Sequence, residues 1–259
     1  MTRDIDFLPG LPIDRILACY AGAPGKEIES GKLASRESSA ALVANAFGYF
    51  LGRATKLPLL PGCADLGAPA NDEALDLEVL VRFPWSGGRH PCLDAIIETE
   101  TALIGVESKR FEPFRPRKMP SLSEAYWRPL WGEAMRGYEA IRDGLGDETL
   151  RFEKLDAAQL VKHALGLRTA IHTNTTTLGK RPVLFYVYAE PATWPDGKAI
   201  VATDLQIHRA EIARFAAAVA GDEVRFASAS YRELLATWLE AQDQDVRAHA
   251  AALAARFNL

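Results

Sequence analysis

The sequence predicts an α/β (α+β) fold in which helices precede and follow a central β-sheet, and three observations support it. Apolar and polar residues alternate over 75–85, as in a half-buried strand. Helical periodicity occurs on both sides of this segment, and an uninterrupted apolar run at 183–189 is typical of a strand buried on both faces. With 259 residues, 48% of them apolar, the chain is expected to form a single domain over 1–259.

The first half of the chain predicts an arm, a helix and an antiparallel meander. Residues 1–34 are rich in Gly and Pro and indicate an irregular arm or a short helix near 14–20. Apolar residues three and four positions apart predict a helix over 36–52, with Ser35 as its N-cap. Three strands joined by short turns follow, at 75–85, 92–98 and 102–110.

The second half returns to helices around the buried strand. Amphipathic stretches at 123–143 and 153–170 precede the apolar run. The tail is interpreted as a helical extension over about 200–259. It contains a predicted helix at 204–220, a candidate strand at 224–227 and Ala-rich helices to the end.

Composition excludes several classes of protein. A formal charge of −4 argues against a protein that coats nucleic acid non-specifically, because such binding depends on Lys and Arg neutralising phosphates. No apolar stretch is long enough for a membrane span, and no basic run precedes an apolar segment near residue 1, so the expected compartment is the cytoplasm without a membrane partner. The three cysteines are too widely spaced for a zinc knuckle or a disulfide framework.

An acidic residue two positions before a lysine occurs twice, which is about the number expected by chance. Residues 196–198 lie among Pro and Gly and predict a surface turn. Glu107-Ser108-Lys109 instead ends a predicted strand. Period-two geometry puts Glu107 and Lys109 on one face, with Ile104 and Val106 directed into the core.

A second carboxylate is expected beside this pair. Asp94 lies thirteen residues before Glu107 on the preceding strand, and a hairpin of that length brings the two together. Paired carboxylates repel unless a cation lies between them, and hard oxygen ligands suit Mg²⁺ or Mn²⁺. Such an ion activates water and stabilises charge on a phosphate oxygen, while Lys109 orients the water or neutralises the transition state, which is the chemistry of phosphodiester hydrolysis.

With this arrangement the sequence resembles the PD-(D/E)XK nuclease superfamily, with Asp94, Glu107 and Lys109 as the motif residues. The segments SSAALVANAFGYF, LIGVESKRFEPF and QLVKHALGL are similar to bacterial members of it. The resemblance implies a restriction-endonuclease-like core over about 35–190, with a mixed central sheet flanked by helices and extra C-terminal helices. The residue before Asp94 is Leu93 instead of the proline of the motif.

Four further residues are weighed as parts of the site. The resemblance suggests Glu37 as a helical metal ligand, although stabilisation of the helix dipole explains it equally. Asn45 either reaches the site or satisfies a neighbouring backbone group. Gln159 and His163 share a polar helix face that is either site support or a solvated surface, and of the two we favour Gln159 as the site residue.

The segment after the motif is the most basic stretch of the chain. KRFEPFRPRK interleaves its cations with two phenylalanines, and only Glu112 opposes them. It is either a solvated loop or a phosphate-binding rim, and we interpret it as a nucleic-acid-binding rim formed by Arg110, Arg115, Arg117 and Lys118.

The sequence therefore predicts an endonuclease that hydrolyses DNA with Mg²⁺ or Mn²⁺, for which a homodimer would suit the cutting of both strands. The alternative is a nuclease-fold protein that no longer cuts and serves as a module binding nucleic acid or protein. The acidic overall charge favours the alternative, whereas retention of both carboxylates and Lys109 favours catalysis.

Overall fold

A computed structural model describes residues 5–88, 90–116 and 122–259, and at its centre is a five-stranded mixed sheet. The order of strands in the sheet follows the chain: β1 (Leu75–Leu80), β2 (Cys92–Glu98), β3 (Ala102–Lys109), β4 (Arg181–Tyr188) and β5 (Arg225–Ser230). The first three strands are antiparallel, which confirms the predicted meander. β3, β4 and β5 are parallel to one another, so the apolar run at 183–189 is an internal strand.

Helices cover both faces of this sheet, which confirms an α/β fold. The helices are α1 (Ile13–Gly22), α2 (Ser39–Ala46), α3 (Arg136–Gly146), α4 (Ala157–Thr173), α5 (Ala202–Ala218), α6 (Tyr231–Leu239) and α7 (Gln244–Phe257). One apolar core lies between the sheet and α1, α2, α6 and α7, and a second lies between the sheet and α3, α4 and α5. Within the described ranges, no helix is long and apolar enough to cross a membrane.

The predicted helix at 36–52 is shorter than expected, and the assignment of Ser35 as its N-cap is wrong. Ser38 caps α2 instead, because its hydroxyl accepts a hydrogen bond from the amide of Ala41 at 3.0 Å. Ser35 accepts from the amide of Glu37 at 3.3 Å, in a turn before the helix. After α2 ends, residues 47–50 form one 3₁₀ turn.

The predicted helix at 123–143 is also interrupted, and α3 begins only at Arg136. Residues 124–127 and 133–135 form short 3₁₀ turns. Gly132 lies between them with φ of 72°, a left-handed conformation that an α-helix cannot contain. In the C-terminal part, the tail contributes β5 as well as helices, so residues 225–230 belong to the central sheet.

Candidate functional site

The three motif residues come together at the ends of β2 and β3. Because Ala95 pairs with Val106, the preceding residue Asp94 lies next to Glu107 on the adjacent strand. Asp94 Oδ2 accepts a hydrogen bond from the amide of Ser108 at 2.6 Å, which fixes its carboxylate against β3. Lys109 Nζ forms an ion pair with Glu107 Oε1. The expected neighbourhood of two carboxylates and one ammonium is therefore present.

Both faces of β3 are covered, and the motif lies on the face toward α4. Ile104 and Val106 point into the first core, as predicted. The contacts of the other face with α4 are Gly105 with Leu167, Glu107 with His163, and Lys109 with Gln159 across a shared cavity. Two residues along a strand span about 6.7 Å, and four residues along a helix span about 6 Å. Every second residue of β3 therefore meets every fourth residue of α4. The site is thus built between a strand and a helix.

Glycine at position 105 allows this close packing. A Cβ there would lie 2.6 Å from Cδ1 of Leu93 and 3.0 Å from Cδ1 of Leu167. A larger side chain fits there only if Leu93 and Leu167, the latter on α4, give way. Gly105 therefore sets the distance at which α4 presents His163 and Gln159 to the motif.

His163 is the residue of α4 that touches the motif. Its ring is 2% exposed, and Nδ1 lies 3.1 Å from Glu107 Oε2. The direction of approach does not meet hydrogen-bond geometry, so both buried atoms lack a hydrogen-bond partner. An unsatisfied buried carboxylate oxygen costs free energy unless another group or ion meets it. The sequence interpretation gave His163 less weight than Gln159, yet His163 has the direct contact.

Burial and neighbouring charges shift the pKa values of Asp94 and Glu107 in opposite directions. Burial raises the pKa of Asp94 well above its usual range, and the negative charge of Glu107 adds to this rise. Burial alone would raise the pKa of Glu107, but contacts with Lys109 and His163 outweigh it and lower that pKa to about 2. Burial would lower the pKa of Lys109, whereas Glu107 and Asp94 raise it above its usual range. Glu107 is therefore ionised and Lys109 protonated at neutral pH.

Glu78 of β1 is a third carboxylate at this place, and the sequence interpretation missed it. The strand pairs on either side put it directly opposite Asp94. Its φ is 53°, in the left-handed region, which residues other than glycine seldom adopt. β2 changes face here as well, because Ala95 packs in the first core and Leu93 in the second. Burial raises the pKa of Glu78 to about 7.

A small cavity of about 180 Å³ opens beside the motif. It is lined by Lys109, Glu112, Pro113, Lys154, Asp156, Gln159 and Tyr186. Gln159 is in the first turn of α4, where its backbone amide donates a hydrogen bond to the capping carboxylate of Asp156 at 3.0 Å. The predicted position of Gln159 near the site agrees with this arrangement.

Two other predicted site residues have contacts elsewhere. The Asn45 side chain is fully buried; it accepts from the amide of Leu8 at 2.8 Å and donates to the carbonyl of Ala41 at 2.9 Å. Of the two interpretations of Asn45, these bonds favour the structural one. Glu37 lies before α2 and forms an ion pair with Arg115. Its role as a metal ligand stays a prediction.

The basic segment divides into residues with different environments. Arg110 is 9% exposed, and its guanidinium donates to the carbonyls of Arg36 at 2.8 Å and Phe257 at 3.0 Å. It therefore secures the end of β3 to the chain around it. Arg115 is half-exposed and pairs with Glu37. The predictions for Arg117 and Lys118 lie outside the described residues.

A cation at this place would depend on few protein ligands. Among residues 5–88, 90–116 and 122–259, no three carboxylate, imidazole or thiol groups converge closely enough to surround a metal ion. Mg²⁺ commonly binds through one or two carboxylates and keeps several waters, so two ligands are sufficient for it. The comparisons with known proteins add no further ligand: no family model, curated protein or solved structure matches the chain.

Proposed function

We propose that this protein is a metal-dependent nuclease of the PD-(D/E)XK type that hydrolyses phosphodiester bonds of DNA as an endonuclease. The observation that carries this proposal is the convergence of Asp94, Glu107 and Lys109 at the carboxyl end of β3. The carboxyl ends of parallel strands are where α/β sheets usually bind ligands. The order of helix, meander, helix and parallel strand supports a restriction-endonuclease-like core over about 35–190.

The donor set fits Mg²⁺ or Mn²⁺. Glu107 Oε2 is buried without a hydrogen-bond partner, and the raised pKa of Asp94 reflects a carboxylate that would gain from a nearby cation. Asp94 and Glu107 would hold the ion. When bound, it would supply a Lewis acid for a phosphate oxygen and lower the pKa of a coordinated water.

Lys109 serves as a fixed positive charge in this proposal. Its raised pKa keeps it protonated, so it cannot accept a proton from water at neutral pH. Lys109 lines the 180 Å³ cavity, and a phosphate oxygen bound there would be within reach of its side chain. A cation held in this way stabilises the negative charge that grows on the phosphate in the transition state.

His163 is a positioning residue in the same scheme. It is buried against Glu107 and approaches one oxygen while Lys109 holds the other. The ion pair with Lys109 and the close packing of His163 restrict rotation of the carboxylate, and a preorganised group loses less entropy when it binds an ion or substrate.

One observation favours the alternative of a non-catalytic binding module. Lys109 already pairs with Glu107, so the protein compensates part of this negative charge without any ion. A degenerate nuclease fold that binds nucleic acid or protein would keep such a pair as a structural contact.

Cleavage assays separate these two functions. The whole chain is incubated with supercoiled, linear and single-stranded DNA in the presence of Mg²⁺ or Mn²⁺, and EDTA serves as the blank. We expect metal-dependent cleavage that is lost in Asp94→Asn and kept in Asp76→Asn, a matched change on the exposed side of β1. If neither ion supports cleavage of any of these substrates, the nuclease proposal is wrong.

A further inference from the structure

A second cavity, of about 310 Å³, lies around Arg110, on the other side of the β3 end from the motif. Its walls come from the segment before α2, the residues that follow β3, the loop after β4 and the end of α7. Lys109 and Arg110 are consecutive, so their Cα atoms are about 3.8 Å apart while their side chains diverge. The cavity therefore borders the proposed cleavage site but is separate from it.

Positive charge predominates in this cavity, which we call the arginine cavity. Arg36, Arg110 and Arg256 line it, and among the lining residues that the structure describes Asp6 is the one acidic residue. Asp6 pairs with Arg256, and in the part of the chain that the structure describes neither Arg36 nor Arg110 forms an ion pair. A protein of net charge −4 thus concentrates two guanidinium groups that form no ion pair with a described residue in one concave place.

Among the three arginines of the cavity, Arg110 is unusual because it is buried. Two of its nitrogens donate to backbone carbonyls, but Arg110 Nε is buried without a partner. Burial lowers the pKa of Arg110 to about 10; the negative charge of Glu112 opposes this decrease and the positive charge of Arg36 adds a little to it. A buried cation of this kind is stabilised when an anion binds beside it.

Aromatic rings complete the wall. Phe111 stacks on Trp194 with ring centroids 5.3 Å apart, and both rings line the cavity. The guanidinium of Arg110 lies between Phe111 and Phe257, at 4.9 and 4.8 Å from their ring centroids. Phe111 and Phe257 are buried, and Trp194 is the partly exposed ring of the three. A cation beside partly exposed aromatic surface binds a phosphate joined to a planar base better than it binds phosphate alone.

We infer that the arginine cavity binds one unpaired nucleotide of the substrate strand, with its phosphate near Arg36 and Arg110 and its base against Trp194. The inference rests on the proposed function, since it names the form of nucleic acid that the neighbouring motif would cut. A base inside a duplex is stacked and paired, so it cannot enter a concave site of this size. The preferred substrate is therefore a single strand or a duplex with an unpaired segment.

The test measures binding without cleavage. A short fluorescent 5′-phosphorylated oligodeoxythymidylate is titrated with the full chain in EDTA and low salt, and its anisotropy is recorded. Arg36→Gln removes an exposed cation of the cavity. Arg232→Gln, on the exposed surface of α6 and outside the cavity, is the matched control.

We expect Arg36→Gln to weaken binding about tenfold, which corresponds to about 1.4 kcal/mol, and Arg232→Gln to leave it within twofold. Trp194→Leu should weaken binding of the oligonucleotide but not of inorganic phosphate, measured by competition. The single strand should bind more tightly than its fully paired duplex. Equal losses in the two arginine variants, or tighter binding of the duplex, would overturn the inference.

These outcomes are independent of the nuclease activity. If the oligonucleotide binds as expected but Mg²⁺ and Mn²⁺ support no cleavage, the arginine cavity stands and the proposed hydrolysis fails. If DNA is cut at the motif while Arg36→Gln binds the single strand normally, the hydrolysis stands and the cavity does not bind the substrate.

Discussion

Residues 107–109 and 196–198 have the same pattern of an acidic residue, a small residue and a lysine, but the protein uses them differently. Glu107 and Lys109 point from β3 toward α4, with side chains 1% and 15% exposed. Asp196 and Lys198 are exposed, and Asp196 accepts a hydrogen bond from the amide of Lys198 at 3.0 Å in a turn. The second segment is the predicted surface turn.

The difference shows that environment, not spacing, gives the pattern its chemistry. In the turn, water screens both charges and the carboxylate is occupied by the local backbone. On β3, the covering helix removes most of the water, brings His163 to the carboxylate and strengthens every charge interaction. The 196–198 segment therefore supplies matched control variants for the 107–109 segment.

The largest expected difference concerns cleavage after removal of each lysine. Lys109→Met should reduce the rate of DNA cleavage by about 100- to 1000-fold, because a preorganised charge on the transition state is lost. Mn²⁺ affinity should not fall, since the change frees Glu107 Oε1 from its ion pair. Lys198→Met should alter neither quantity. Equal rates for Lys109→Met and wild type would remove Lys109 from the proposed mechanism.

The next difference concerns stability after neutralisation of each acid. Glu107→Gln leaves the buried ammonium of Lys109 without its partner and should lower the free energy of unfolding by about 3 kcal/mol. Asp196→Asn keeps the side-chain oxygen that accepts the hydrogen bond in its turn, so it should change the free energy of unfolding by less than about 0.5 kcal/mol. Urea denaturation at pH 7 measures both. Similar values would mean that the buried ion pair contributes little.

The two motif regions also contain glycines of opposite kinds. Gly105→Ala puts a Cβ 2.6 Å from Leu93 and should cost about 2 kcal/mol, together with reduced cleavage as α4 shifts. Gly197 has open space but φ of 88°, so Gly197→Ala should cost about 1 kcal/mol through backbone strain and leave cleavage intact. Thermal unfolding and cleavage rates of the two variants check this. Full activity in Gly105→Ala would show that the position of α4 is not critical.

The smallest expected effect is a gain in stability. Folding raises the pKa of Asp94, so this group favours the folded state when protonated and opposes it as the pH rises above its unfolded pKa of about 3.9. Asn at this position can still accept the hydrogen bond from the amide of Ser108. Asp94→Asn should therefore raise the free energy of unfolding by about 1 kcal/mol at pH 7 without metal.

That gain should disappear near pH 3, where the carboxyl group is protonated in both states. Saturating Mn²⁺ should stabilise the wild type more than the variant. Denaturation series at several pH values, with Asp196→Asn as the matched comparison, measure the effect. A gain that is independent of pH would show that ionisation of the buried Asp94 carboxyl group is not its cause.

The sequence was sufficient to predict the meander, the buried fourth strand and the shared face of Glu107 and Lys109, because period-two alternation is a local property of the chain. It did not predict Glu78, since a polar residue in an alternating strand is typical of a solvent-facing position, and nothing marks a left-handed glutamate. His163 was undervalued because its helix face looks solvated when the helix is considered alone. β3 has apolar residues at both odd and even positions, such as Leu103 and Ile104. This pattern already indicated that a second layer covers the face of β3 that carries the motif.

The central claim is that the buried pattern on β3 forms a metal site, and Mn²⁺ titration by calorimetry tests it most directly. Wild type, Asp94→Ala, Glu107→Ala and Asp196→Ala are compared at low salt, with circular dichroism to show that each is folded. We predict binding to the wild type and to Asp196→Ala, and loss of binding in both site variants. Absence of Mn²⁺ binding by the wild type, even with DNA present, or unchanged binding in both site variants, would contradict the claim.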